Sequence, residues 1–424
     1  MADSKLAERN SARAWLIGIL TFCAGVAAVL AMFKINPAMD ALLTDLGETA
    51  TFGGSLSSVF AITAAILIIP FGALAVKVNV KWLVVGSTAL LAIGGILEST
   101  TTNSAMFMAY RLLEAVGYTG MFAFGPVMIT RWFTEDKRGI PMGLWTAMVG
   151  VGSTVVMQMA SATMPTGGWH VLWIAIGIVC AVICVLYVVV AQNWPKGAEA
   201  EAAAEAAAKA EADANAPKVG IVDTFKIPVL WGMAAIFLCF GVGMQGIMTF
   251  SVSILTQQAG VDPVTANNMS SVMSMGQIVS PLIGGWIISM VCKKNKKMRA
   301  WVLLVFLAMA FVFEIGYFAC VHDTVTAWIF SILCGFVAMW GPGFYILAAD
   351  HAPSESLSSV CITIFLFGQF LGGIIGPAVL GFFMDMFGGF ASAMYMIVAL
   401  AVIAVVILVL LARADQKLVE SQEK

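Results

Sequence analysis

An arginine and a glutamate lie three residues apart where a charge is costly. Arg111 comes seven residues after Ser104, which opens a long apolar run, and Glu114 follows it. At a rise of 1.5 Å per residue, Arg111 would lie roughly 10 Å inside a helix, and the i, i+3 spacing allows the two side chains to pair. A guanidinium group can hold a planar anion through two parallel hydrogen bonds. We therefore interpret the pair either as a structural ion pair or as an anion site, in which Glu114 is the counter-charge when no anion is bound.

Three further charged residues lie at or near the ends of apolar runs. Lys34 ends the first run, and either its side chain extends to the lipid headgroups or it is a second cation in a central cavity. Glu98 and Glu314 lie near the ends of two other runs, where a carboxylate can face the headgroups. A carboxyl group in an apolar site can also exchange a proton near neutral pH, so a proton-relay role is the alternative.

Uncharged polar side chains in the middle of apolar runs are the third group of candidates. In the bilayer interior each of them needs a hydrogen-bond partner or a water-filled cavity. Side-chain amides often join neighbouring helices, which is the alternative to a role in lining a solute cavity. The residues in this group are Gln158, Gln245, Gln277, Tyr345 and Gln369.

The composition shows what kind of chain must position these residues. Of 424 residues, 61% are hydrophobic and 11% are charged, and the mean hydropathy is +0.95. A soluble domain has about 25% charged residues, so a soluble enzyme is excluded. The net charge of −2 argues against a nucleic-acid partner. The three His are scattered, the eight Cys form no C-x-x-C pair, and no phosphate-binding loop is present, so we expect no metal, cofactor or ATP-driven step.

Twelve apolar runs are long enough to cross the bilayer core, which takes roughly 20 helical residues each. They are residues 14–34, 51–76, 82–100, 105–131, 139–164, 168–191, 227–255, 265–291, 300–320, 325–348, 357–384 and 390–412. The stretch after the sixth run is rich in Ala and Glu, which favours a solvated spacer. The sequence thus predicts an all-α membrane protein with an N-terminal six-helix bundle (1–192), a cytoplasmic linker (193–226) and a C-terminal six-helix bundle (227–424).

The basic residues indicate the orientation of the chain. If both termini are cytoplasmic, all of the 22 Lys and Arg residues except Lys34 and Arg111 lie on the cytoplasmic side. Cytoplasmic loops of membrane proteins carry such an excess of basic residues. We therefore expect a multi-pass protein of the cytoplasmic (inner) membrane with both ends inside. The two exceptions become candidates for a cationic solute site, with Arg111 as its principal anchor.

The two halves of the chain repeat each other at an offset of 216 residues. Pairs at this offset include Trp15 with Trp231, Cys23 with Cys239, Glu98 with Glu314, and Gly125-Pro126 with Gly341-Pro342. A duplicated unit with an even number of spans gives parallel repeats about an axis along the membrane normal. Gly and Pro permit helices to bend, so the Gly-Pro pairs, together with Gly376-Pro377, are predicted gating positions.

Two connections resemble cytoplasmic loops of the major facilitator superfamily. RWFTEDKRGIPMG, which starts at Arg131 and contains Arg138, is similar to the family's W-F-x(4)-R-G-x-x-x-G loop. GALAVKVNVK is similar to the loop after the family's second span, with Gly72, Lys77 and Lys81 at matching positions. The resemblance implies two six-helix bundles with pseudo-twofold symmetry around a central cavity, and it implies a gating role for these five residues.

Together, the lone charges and the resemblance predict a function. We expect a secondary active transporter of a small solute, an organic or inorganic anion, that works by alternating access and is coupled to protons or to exchange. The alternatives are proton-coupled efflux of a hydrophobic or neutral solute, and a non-transporting sensor of the same fold. The expected partners are a small-molecule substrate and membrane lipid, and the chain is expected to act as a monomer and not as an enzyme.

Overall fold

The computed structural model describes residues 10–133, 137, 139–195, 224–351 and 358–422, and their regular structure is helical. The α-helices are α1 (Ala12–Phe33), α2 (Ile35–Leu46), α3 (Ala50–Lys77), α4 (Val80–Glu98), α5 (Ser104–Trp132), α6 (Gly139–Val190), α7 (Pro228–Ala259), α8 (Pro263–Lys294), α9 (Arg299–Ala319), α10 (Thr324–Gly335), α11 (Gly341–Asp350), α12 (Ser358–Phe387) and α13 (Ala391–Gln422). Short 3₁₀ turns occupy Lys296–Met298 and Val337–Trp340. Helices are expected here because a chain in lipid must satisfy its own backbone hydrogen bonds.

The described residues contain eleven helical segments that are long and apolar enough to cross a membrane. One of them, Ile140–Val190, has 51 residues and would be about 75 Å long if it were straight, roughly twice the thickness of the bilayer. It is broken at Gly167 and at Gly168, whose φ of +65° lies in the left-handed region. The segment is therefore two spans, and the predicted architecture of about twelve spans is confirmed.

Side-chain caps determine where several helices begin. The Asn79 side chain accepts a hydrogen bond from the N–H of Lys81 at 3.0 Å, and that of Asn103 accepts one from Met106 at 3.0 Å. Asp323 caps α10 in the same way, within a capping box. Such caps satisfy N–H groups that have no partner inside the helix. As a result, α4 and α5 begin within two residues of the starts that hydropathy predicts.

Contacts between Cα atoms divide the chain into two compact units. Within the described residues, the N-terminal unit contains 10–34 and 62–195, and the C-terminal unit contains 35–61, 224–351 and 358–422. Residues 35–61, which the sequence assigns to the first bundle, thus pack with the helices of the second half. Residues 196–223, most of the predicted linker, lie outside the described residues, so the domain boundaries stay a prediction.

Hydrogen bonds hold residues 35–61 against the C-terminal helices. The Asn36 side-chain amide donates to the carbonyl oxygen of Met248 on α7 at 2.8 Å. The Asp385 carboxylate on α12 accepts from the N–H groups of Ala50 and Thr51, at 3.1 and 2.8 Å. Asp385 therefore caps the N-terminus of α3 from a distant part of the chain, an arrangement that local sequence cannot reveal.

Three glycines of α12 allow that helix to approach α7 closely. Gly368, Gly372 and Gly376 recur every four residues and therefore share one helix face. A Cβ atom added to Gly376 would lie 2.5 Å from the carbonyl oxygen of Val242, and one added to Gly368 would collide with the backbone of Ala234. Small residues at this spacing are a common means of packing membrane helices.

The repeat between the two halves is strict for the first helix and then drifts. α7 begins 216 residues after α1, at 228 against 12, whereas α9 begins 219 residues after α4, at 299 against 80. The drift is close to one helical turn. Glu98 is accordingly the last residue of α4, while Glu314 lies five residues before the end of α9. These two carboxylates, which a constant offset pairs, do not occupy equivalent places in their helices.

Candidate functional site

Four charged side chains from three helices meet inside the N-terminal unit. Lys34 caps the C-terminus of α1, Glu98 ends α4, and Arg111 and Glu114 lie on α5. All four have no exposed side-chain surface. The sequence predicts the Arg111–Glu114 pair but not the meeting of all four. We call this group the buried charge cluster.

Lys34 is the centre of the buried charge cluster. Its Nζ lies 2.9 Å from Glu98 Oε2 and 2.6 Å from Glu114 Oε1. It also lies over the ring of Trp173, 5.0 Å from the ring centroid, and the Trp173 indole N–H donates to Glu98 Oε2 at 2.5 Å. The alternative in which Lys34 or Glu98 extends to the headgroups is therefore wrong for this structure.

Arg111 closes the other side of the cluster. Its Nη1 donates to Glu114 Oε2 at 2.9 Å and to the carbonyl oxygen of Ala31 at 2.7 Å, and its Nη2 donates to Met32 at 2.6 Å. Ala31 and Met32 belong to the last turn of α1, whose carbonyl groups lack partners within the helix and favour a cation. The Arg111–Glu114 pair thus has the geometry expected of an unoccupied site, and the role of Arg111 as solute anchor stays a prediction.

The charges of the cluster compensate one another. Two cations and two carboxylates share one buried volume, and each cation contacts at least one carboxylate. Burying charges is costly, and removing one member of such a set leaves another uncompensated. The geometry therefore supports a rigid connection among α1, α4 and α5.

The C-terminal unit contains a cavity of about 540 Å³. The structure brings most of the predicted solute-binding residues of the second half to this one cavity. Its lining is mainly apolar and includes Phe237, Phe240, Met244, Gln245, Gln277, Pro281, Val337, Ala338, Trp340, Gly341, Pro342, Tyr345 and Gln369. Gln158 is not among them, since it lies exposed on α6 of the N-terminal unit.

Trp340 is a cavity residue that sequence reasoning missed. The rings of Phe237, Phe240 and Phe344 pack edge-on against it, with centroids 4.5, 4.8 and 5.2 Å away. Its side chain is 2% exposed, and its Nε1 has no hydrogen-bond partner among the described residues. A signal was present in the sequence, because Trp prefers the membrane interface and this one directly precedes the Gly341-Pro342 pair within a predicted span.

Glu314 lies alone in the C-terminal unit. The side chain has no exposed surface, and neither carboxyl oxygen has a hydrogen-bond partner among the described residues. The alternative in which Glu314 faces the headgroups is therefore wrong for this structure. The other buried charges described in this unit, Arg299 and Asp415, form a two-bond ion pair at 2.9 and 2.6 Å.

Comparison with known proteins agrees with this architecture. The family model described as Major Facilitator Superfamily matches residues 19–361. The chain belongs to the major facilitator superfamily. It is therefore a multi-pass membrane transporter and not an enzyme, as the sequence predicts.

Individual members of the superfamily are similar over nearly the whole chain. A D-galactonate transporter of Escherichia coli O6:H1 is 22% identical, covering 96% of this chain and 97% of its own. A hexuronate transporter of Bacillus subtilis is also 22% identical, covering 91% and 92%. The crystal structure of a bacterial homologue of the human lysosomal transporter Spinster, inward-facing and unoccupied, has a TM-score of 0.78 at 13% identity and covers 96% and 98%. The last of these supports the fold alone.

The loop residues that resemble the superfamily's signatures stabilise the ends of helices. Arg131 Nη2 donates to the carbonyl oxygen of Ala75 on α3 at 3.1 Å, and its Nη1 donates to the side chain of Asn193. Lys81 Nζ donates to the carbonyl oxygen of Val188 near the end of α6 at 2.7 Å. These bonds join α3, α4, α5 and α6 at one end of the N-terminal unit. A gating role for these residues stays a prediction.

The remaining predicted gating residues lie in varied surroundings. Gly72 is exposed on α3, Lys77 is the last residue of that helix, and Arg138 lies outside the described residues. Gly125, followed by Pro126, packs against the ring of Trp145. The other two pairs, Gly341-Pro342 at the cavity and Gly376-Pro377 at the contact between α7 and α12, interrupt helices of the C-terminal unit.

Proposed function

We propose that this transporter carries a small polyhydroxylated organic acid, of the sugar-acid class, by alternating access. The observation that supports the proposal is the cavity of the C-terminal unit, which combines aromatic walls with several hydrogen-bonding side chains. Solute sites are typically apolar cavities of 300–1,000 Å³ with a few well-placed polar groups, and this cavity has that character.

The polar groups of the cavity match hydroxyl and carboxylate groups. Gln245, Gln277 and Gln369 each offer an amide with two N–H donors and one oxygen acceptor, and Tyr345 offers a hydroxyl. Trp340 adds a donor only, and that donor has no partner in the described residues. Because a buried donor without a partner costs about 1–3 kcal/mol, a solute oxygen beside Trp340 would recover free energy on binding.

The relatives support the same class of solute. One is named as a transporter of D-galactonate and another as a transporter of hexuronate, both of which are sugar acids. The chain is similar to each over more than 90% of its length. An acid of this kind has several hydroxyl groups for the glutamines and a carboxylate for the Trp340 and amide donors.

A neutral polyol or sugar is the second candidate. No charged side chain occurs among the cavity-lining residues that the structure describes. A site without a counter-charge can bind an uncharged solute through hydrogen bonds alone. The two candidates therefore differ in whether the solute's carboxylate contributes to binding.

Counterflow in proteoliposomes tests both candidates. Purified protein is reconstituted with unlabelled solute inside, and uptake of labelled D-galactonate, D-glucuronate and D-galactose is compared. We expect counterflow of the two acids and little of the neutral sugar. Counterflow of D-galactose alone would favour the second candidate, and no counterflow of any of the three would contradict the proposal.

A conservative variant tests the cavity itself. Trp340→Phe keeps an aromatic ring and loses only the N–H donor, so the apparent affinity should fall about tenfold, as expected for a hydrogen bond of about 1.4 kcal/mol. Trp231→Phe is the matched control, because Trp231 lies on α7, is 45% exposed and does not line the cavity. Equal affinity of both variants and the wild type would show that the solute does not use Trp340.

A further inference from the structure

Glu314 occupies a place where a charged carboxylate would have no compensation. Both of its oxygens lack hydrogen-bond partners among the described residues, and the side chain has no exposed surface. A Cβ atom added to Gly243 would lie 2.5 Å from Glu314 Oε2, so the carboxyl group lies directly against the backbone of α7. An unpaired carboxylate buried in an apolar site is strongly unfavourable, whereas the neutral acid is tolerated.

The surroundings of Glu314 provide no cation in the described residues. Cys334 on α10 is the titratable side chain that interacts with it electrostatically, and α7 presents Gly243 there. The ion pair of Arg299 and Asp415 lies fifteen residues away along α9, about 22 Å. Charged residues of α8, α11 and α13 lie at the C-terminal ends of those helices, and those of the turn 296–298 precede α9. Their uncharged titratable groups, with those of α7, include Cys239, Tyr345 and Tyr395.

One turn of α7 connects Glu314 to the solute cavity. Phe240 and Met244 line the cavity, and Gly243 between them contacts the Glu314 carboxyl group. Phe240 also packs against Phe311, three residues before Glu314 on α9, with ring centroids 6.3 Å apart. A change in the position of α7 on solute binding would therefore change the surroundings of the carboxyl group at once.

We propose that Glu314 binds the proton that drives solute transport. This rests on the proposed function, since the proton has to be coupled to a solute in the neighbouring cavity. In the step, the O–H bond of the Glu314 carboxyl group breaks, the proton passes to water and the carboxylate stays on α9. The ionised form requires a conformation in which α7 and α9 admit water to Glu314. Proton binding and solute binding therefore favour different conformations of the same helix pair, which is the condition for coupling.

A pH gradient across proteoliposomes tests the proposal. With one proton per solute, a gradient of one pH unit supports about tenfold accumulation of D-galactonate in the wild type. Glu314→Gln should abolish this accumulation while counterflow without a gradient remains, because exchange of solute does not require net proton movement. Glu48→Gln, a change at a partly exposed carboxylate between α2 and α3, should behave as the wild type.

The two possible failures are distinguishable. If the wild type shows no counterflow of any acid, the proposed function fails; if it shows counterflow but a pH gradient drives no accumulation, only the coupling fails. Gradient-driven accumulation by Glu314→Gln at the wild-type level would also overturn the assignment.

A direct measurement covers the case in which Glu314→Gln does not fold. Addition of D-galactonate to the wild type in weakly buffered detergent should change the bound proton count by about one per carrier. Glu314→Asp keeps an ionisable group and should retain this proton change, with a shifted pH dependence. Absence of a proton change in a wild type that binds the solute would contradict the proposal.

Discussion

The two units of this transporter handle buried charge in opposite ways. In the N-terminal unit, two cations and two carboxylates compensate one another in the buried charge cluster. In the C-terminal unit, Glu314 has no partner among the described residues, and the solute cavity beside it is lined by amides and rings. A compensated cluster resists change, whereas a lone carboxyl group is sensitive to its protonation. The difference indicates a structural role for the first and a functional role for the second.

The strongest test of the structural role is removal of the central cation. Lys34→Met leaves Glu98 and Glu114 with Arg111 as the only cation of the cluster, so the free energy of unfolding should fall by about 3–5 kcal/mol. Unfolding by SDS titration in mixed micelles measures this change. Arg413→Met, at an exposed position on α13, is the control and should change stability by about 0.5 kcal/mol or less. A similarly small effect of Lys34→Met would contradict the compensated cluster.

A double-mutant cycle separates the structural and solute-binding roles of Arg111. Arg111→Gln leaves Glu114 short of one cation, and adding Glu114→Gln restores the balance with Lys34 and Glu98. The second change should therefore recover about 2–3 kcal/mol of the stability lost in the first. If Arg111 is structural, counterflow of D-galactonate also recovers. Recovery of stability without recovery of counterflow would assign Arg111 to the solute, as the sequence predicts.

The C-terminal unit should instead depend on close packing of α7 and α12. Gly376→Leu places a side chain against the backbone of Val242 and should cost about 1–3 kcal/mol of stability. Gly341→Ala is the control, since no atom lies within 4 Å of the place its Cβ would take. Equal stability of both variants would mean that the contact between the two helices is loose.

The smallest expected effect on stability concerns Glu314. If its carboxyl group is neutral, Glu314→Gln removes no charge, and the free energy of unfolding should change by less than about 1 kcal/mol. Glu114→Gln, the same substitution in the compensated cluster, should cost about 3–5 kcal/mol. A cost of that size at Glu314 would show that its carboxylate is charged and paired, and the contrast between the two units would disappear.

Local rules in the sequence were sufficient for the helices and for one ion pair. Twelve spans follow from the hydropathy of runs of about 20 residues, because lipid requires the backbone to form its own hydrogen bonds. The Arg111–Glu114 pair follows from i, i+3 spacing within one helix. The polar residues of the second half were correctly singled out, because an amide inside a span needs either a partner or a cavity.

Which of these residues meet was determined only by the tertiary structure. Lys34 and Glu114 are 80 residues apart in sequence, and Asp385 caps a helix more than 330 residues before it. The gathering of Gln245, Gln277 and Gln369 at one cavity depends on how each helix is rotated and how deeply it lies. Hydropathy does not encode those quantities, because a span that is apolar on every side has no polar face to orient it. The missing partner of Glu314 is likewise a property of the packed helices, since a side chain is unpaired only with respect to everything folded around it.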